Sequence, residues 1–237
     1  MLLRRFAQSL RRQDWSAVGL EFVIVVVGIF VGLQATEWNE QRQLRAREVV
    51  YLERLREDVA GMRAEVAEIL GEGGPRHEVT LRTFRALEAC DPELAGPDDI
   101  RVTLARYQNQ RTAVVVDRTY QEMVASGALA AMSDQRLSAE IAVLFGALGN
   151  YKEFVSGVRI SLPVVDRVLW QHLDFSYNAR GLPVLRDFDF DDACRSRELR
   201  NAAWEIHDLV WDWDQATRRV ADQLDAFLAA LDGHLVG

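Results

Sequence analysis

Lysine is nearly absent from this 237-residue chain. Lys152 is the only one, and arginine supplies the remaining cations among 28 basic against 36 acidic side chains, for a net charge of −8. An acidic balance without clustered lysine and arginine argues against a phosphate-binding surface, so no nucleic-acid partner is expected. Proline (5) and glycine (15) are also sparse, and polar residues interleave with apolar ones throughout, which excludes a long linker or a low-complexity tract. There is no internal repeat of solenoid length. No Gly-x-Ser-x-Gly, phosphate loop or dinucleotide fingerprint occurs. The four histidines, His77, His172, His207 and His234, show no His-x-x-x-His or Glu-x-x-His spacing. Asp187, Asp189, Asp191 and Glu198 do occupy calcium-loop spacing, but Asp192 stands where the sharp turn needs glycine, so an acidic helix start is the better reading. The expectation is a protein with no catalytic set, no cofactor and no metal.

What the chain has instead is one strongly apolar run, "EFVIVVVGIFVGLQATEWNE" at 21–40. Its uninterrupted part, Phe22 to Leu33, is apolar on every face, unlike an amphipathic core helix. Arg4, Arg5, Arg11 and Arg12 precede it, as on the cytoplasmic flank of a membrane span. Trp15 and Trp38 bracket it at a separation of roughly 35 Å in a helix, matching interfacial anchors on either side of a ~30 Å hydrocarbon layer. A signal-peptide core and a buried helix also fit the length. Against the first, Leu33-Gln34-Ala35 is a poor cleavage site and the helical pattern runs on past Trp38; against the second, no later segment resembles the run. The reading is an uncleaved span.

Glu21 is the odd residue of this segment. It lies about 9 Å along the helix from Trp15, close enough to the headgroups to be solvated as an interfacial residue. The functional alternative makes it a protonatable site or a partner for an arginine on a neighbouring helix. Gly28 and Gly32 form a Gly-x-x-x-Gly pair, whose missing side chains let two helix backbones approach. With Glu21 and Val25 they outline one packing face, for a second copy or another membrane protein.

The block Glu21 to Gly32, followed by Leu33-Gln34 and Glu37-Trp38-Asn39-Glu40, resembles the N-terminal signature of a bacterial family of single-span membrane proteins, the domain of unknown function 6090. A looser likeness covers "YQEMVASGALAAMSDQRLSAEIAVLFGALGNY" at 120–151. The two stretches together make up about a fifth of the chain, the first matched strongly and the second loosely; Gly32, where alanine is more usual, and the Arg-rich C-terminal half depart from the pattern. The resemblance implies membrane attachment and carries no activity.

Past the run, apolar residues fall in heptads. Leu52, Leu55, Val59, Met62, Val66 and Ile69 alternate steps of three and four before Gly71, Gly73, Gly74 and Pro75 stop the helix. Leu137, Ile141, Leu144, Leu148, Tyr151, Val155, Val158, Leu162, Val165 and Leu169 form a second series, opened by the cap candidates Ser133 and Asp134. Leu199, Ala203, Ile206, Val210, Trp213, Thr217, Val220, Leu224, Phe227 and Leu231 form a third. Each of the last two spans roughly 50 Å as helix, and a shared 3.5-residue period predicts a left-handed bundle. Between the first two series the pattern gives a helix from Val79 to Cys90 and another from Asp98 to Tyr107 capped by Asp98 or Asp99. A buried extended loop is expected over 112–117, then a helix started by Asp117, and a major turn over 178–183. Pro163 is expected to kink the second long helix.

The two cysteines, Cys90 and Cys194, fit a disulfide if the C-terminal part is extracytoplasmic, and two buried thiols equally well. Trp211 lies off the third heptad series, which makes it a candidate partner surface. The expected architecture is all-α: a cytoplasmic Arg-rich tail over 1–16, a transmembrane helix over 17–38, and an elongated antiparallel helical bundle over 39–237. It is placed in a bacterial inner membrane with the bundle in the periplasm. The expected role is a scaffold that meets the lipid bilayer and a second copy or another membrane protein. The alternatives are a proton-linked transducer subunit using Glu21 and a helical ligand sensor acting through a partner.

Overall fold

The computed structural model describes residues 15–73, 76–186 and 188–236. The chain is mostly helical and divides into two compact units, one ending at Val50 and one from Tyr51 onward. Helix α1 (Trp15–Gly73) is continuous over 59 residues and contributes to both units. The second unit adds α2 (Arg76–Ala89), a short 3₁₀ turn (Pro92–Leu94), α3 (Pro97–Arg106), α4 (Arg118–Ala125) and α5 (Gln135–His172). A β-hairpin, β1 (Phe175–Tyr177) with β2 (Pro183–Leu185), then leads to α6 (Phe190–Arg195) and α7 (Arg197–Val236).

The heptad series account for the core of the second unit. All six residues of the first series and all ten of the third are buried. The second series is buried from Leu137 to Tyr151 and again at Val165 and Leu169, but Val155, Val158 and Leu162 are only half-covered. Two core clusters result. Leu55, Val59 and Met62 of α1 meet Ile141, Leu148 and Leu224 in the first; Leu87, Leu104, Leu169 and Ile206 meet in the second. Helix α7, 40 residues long, passes through both, because its apolar stripe never breaks. Exposed ion pairs flank the first cluster: Arg56 donates to Asp232 at 2.5 Å and Arg63 to Asp225 at 2.6 Å.

Local chemistry sets the helix ends. The Asp134 carboxylate accepts from the N–H groups of Arg136 and Leu137, capping α5 as the sequence suggests. Helix α3 differs from expectation: Gly96 is the cap and Pro97 opens the helix, because a proline at the first position sacrifices no intrahelical bond, and Asp98 and Asp99 fall inside the first turn. Helix α5 continues through Pro163 to His172.

One segment departs from the sequence reading, and the expected turn over 178–183 comes with flanking strands that the reading lacked. Residues 108–117 are irregular but not buried: Val114 and Val116 are exposed, while Ala113 and Val115 pack on the core. The segment is held by the Val114 N–H on Glu65 and the Val116 N–H on the Met62 sulfur. The turn at 178–183 is the loop of the antiparallel hairpin, pairing Phe175 with Leu185 and Tyr177 with Pro183. Asn178 accepts from the N–H groups of Arg180 and Leu182 through its side chain, and Gly181 takes the left-handed conformation (φ 72°) that the loop requires. Three-residue strands carry too little periodicity to register against the heptads on either side.

Candidate membrane-contact segment and partner surfaces

In α1 every described large apolar side chain from Leu20 to Leu33 is 46–70% exposed. The most apolar stretch has a mean hydropathy of 1.6 over 18 residues and none of it is buried. This helix is long and apolar enough to cross a membrane. A buried core helix is a poor description of this stretch, since core helices cover their apolar faces and none of this window is covered. Around Gly28 and Gly32 an added Cβ would meet nothing within 4 Å, so no contact among the described residues requires glycine at either position. Thr36 returns its hydroxyl to the Gly32 carbonyl at 3.0 Å, which satisfies its one donor inside the helix. Trp38 is two-thirds exposed, with the Arg42 guanidinium 5.8 Å from its ring centre. Trp15 and Glu21 lie on the helix, but their side chains fall outside the described residues.

The structure joins Cys90 to Cys194, with Sγ atoms 2.03 Å and Cα atoms 5.2 Å apart, closing a sequence separation of 104 residues. Cys90 follows the last residue of α2 in a left-handed conformation (φ 51°), and the Asp91 N–H bonds back to the Ala86 carbonyl at 3.0 Å. That is a Schellman ending, in which the left-handed position ordinarily favours glycine. A cysteine accepts the local strain there because its sulfur reaches α6. Cys194 is buried in α6, whose start is capped by Asp189 accepting from the Asp192 N–H, and whose Cys194 carbonyl accepts from Arg200 at 2.5 Å. Asp187, the first position of the calcium-like spacing, lies outside the described residues. Among the described residues no set of three His, Cys, Asp or Glu side chains converges on a metal-sized site.

Trp211 is 42% exposed, and His77 of α2 covers part of it edge-on at 5.5 Å. Trp213, two residues on, is buried against Phe154. Two of the four histidines, His77 and His207, share Thr80 as a hydrogen-bond partner. The His207 ring bonds Thr80 at 3.1 Å, and Thr80 donates to the His77 carbonyl. His234 pairs with Asp134, and the His172 ring lies 2.9 Å from the Val168 carbonyl. Burial holds the His207 pKa below its ordinary value, with the nearby Asp208 charge opposing the shift. Asp225 and Asp232 are held below the carboxylate range by the hydrogen bonds from Arg63 and Arg56. Ile160, Val164 and Trp170 on α5 are strongly exposed, and the sequence reading passed over them. Their signal is their absence from the heptad series that claims Leu162, Val165 and Leu169.

No protein-family model, no curated protein and no solved structure matches this chain.

Proposed function

We propose that the protein is a membrane-anchored helical interaction protein, with residues 17–38 as its span and 1–16 as a cytoplasmic tail. The observation that carries this is the uncovered stretch from Leu20 to Leu33: leaving that much apolar surface in water costs about 25 cal/mol per Å², and a bilayer removes the cost. The helical domain of 39–237, read as an antiparallel bundle, lies on the periplasmic side, where the Cys90–Cys194 bond fits an oxidising compartment. Gly28 and Gly32, unneeded by any contact among the described residues, are the face on which a second copy or another membrane protein docks. The Glu21-Trp38 signature agrees with the single-span family it resembles.

The test is photocrosslinking in intact membranes from a probe at Ile29, followed by mass spectrometry. An adduct with a second copy or another integral membrane protein supports the reading. Release of the chain by alkaline carbonate, with no lipid or protein adduct at Ile29, sinks it.

A further inference from the structure

Within the unit from Tyr51 onward, α2, α3 and the hairpin turn enclose a cleft of about 480 Å³. That volume suits a small ligand, since such sites run from ~300 to 1,000 Å³. Register builds its walls: Val79 comes from the first turn of α2, Val102 and Arg106 share one face of α3, and Leu182 closes the side from the hairpin loop. Arg76 also lines it and donates to the Asn109 carbonyl and the Gln110 side-chain oxygen, both neutral acceptors, so among the described residues no acid matches its charge. Arg106 is half-buried and has no acidic partner among the described residues. The two carboxylates of the same cleft are accounted for. Asp99 is held by Arg82 at 3.1 Å, and the Asp98 side chain is 97% exposed beside Arg101.

Two unmatched guanidinium groups facing three apolar side chains fit an anion with a hydrocarbon body. A carboxylate pairs with a guanidinium in the plane of the fork, and a single negative charge tolerates Asp98 and Asp99 nearby better than a dianion does. We infer that this cleft binds a small apolar monocarboxylate, its carboxylate on Arg106 and Arg76 and its hydrocarbon on Val79, Val102 and Leu182. The inference uses residues 76–182 alone and stands independently of the membrane reading.

The experiment is calorimetric titration of the full-length chain in lipid nanodiscs with hexanoate, hexylamine and acetate, each corrected against empty nanodiscs. Saturable hexanoate binding is expected, with no saturation by hexylamine and acetate at least about tenfold weaker. Arg106→Gln should weaken hexanoate by about tenfold or more at unchanged helix content. Val102→Glu, a change at an exposed helix position that brings a second negative charge to the ligand, should abolish it. Equal binding of hexylamine or acetate, absence of saturation, or hexanoate affinity unmoved by either variant would each overturn the assignment.

Discussion

Helix α1 contains the sharpest contrast in the molecule. From Leu20 to Leu33 its described large apolar side chains are 46–70% exposed, whereas Leu52, Leu55, Val59, Met62, Val66 and Ile69 are all buried. The residue types differ little. What differs is arrangement: the second stretch concentrates its apolar residues on one stripe between charged ones, and the first has no polar face to turn outward. A stripe is buried by neighbouring helices of the same chain; an all-round apolar surface is satisfied only by an apolar medium or by partners on several sides.

That contrast predicts that changes in the unit from Tyr51 onward alter folding, and changes over 20–33 alter association. The largest effect expected is from removing the disulfide. Cys90→Ser with Cys194→Ser should cost about 4 kcal/mol in chemical denaturation, since it frees a loop of 104 residues. Cys90→Gly with Cys194→Ser should cost about 1 kcal/mol less, because glycine suits the left-handed position. Equal losses for the two pairs would show that the backbone at Cys90 relaxes. Next, Leu55→Ala, a wholly buried position, should cost about 3 kcal/mol, while Val27→Ala should leave the same unfolding transition in place. A comparable loss from Val27→Ala would mean that residues 20–33 are core after all, and the comparison would fail.

Gly28→Ile is expected to leave denaturation unchanged and to weaken self-association or partner capture by roughly tenfold, measured by energy transfer between labelled chains in liposomes. The smallest effect is electrostatic. Asp225 and Asp232 have folded pKa values below 3.8, so the unfolded chain binds more protons there; their contribution is complete above 3.8 and is lost as pH falls through the lower folded values. His207, held below 6.5 by burial, adds a loss of the same sign as pH falls below 6.5. Denaturation midpoints against pH should therefore decline toward acid, and Asp225→Asn with Asp232→Asn should flatten the lower part of that decline. Both pairs are solvent-exposed, which keeps the change small.

The helices were readable because a long stripe repeats its message. Ten consecutive heptad positions on α7 leave one face to bury, and all ten are buried. The same regularity misled at the middle of α5, where Val155, Val158 and Leu162 keep the period but are only half-covered. Period states which side chains share a face, not whether another element reaches that face. The hairpin between α5 and α6 escaped notice because three-residue strands are too short for alternation to emerge. Arg76 and Arg106 are ordinary surface arginines by sequence; only the packing of α2 against α3 brings them to one cleft.

The sequence by itself determined the helical content, the stripes that become core, the cap at Asp134 and the one segment apolar all round, because each is written in spacings of a few residues. Tertiary structure decided the rest. It brought Cys90 within 5.2 Å of Cys194, laid His77 against Trp211 and left Arg106 with no acidic partner among the described residues. These depend on where elements far apart in the chain come to lie, and local spacing carries no information about such distances.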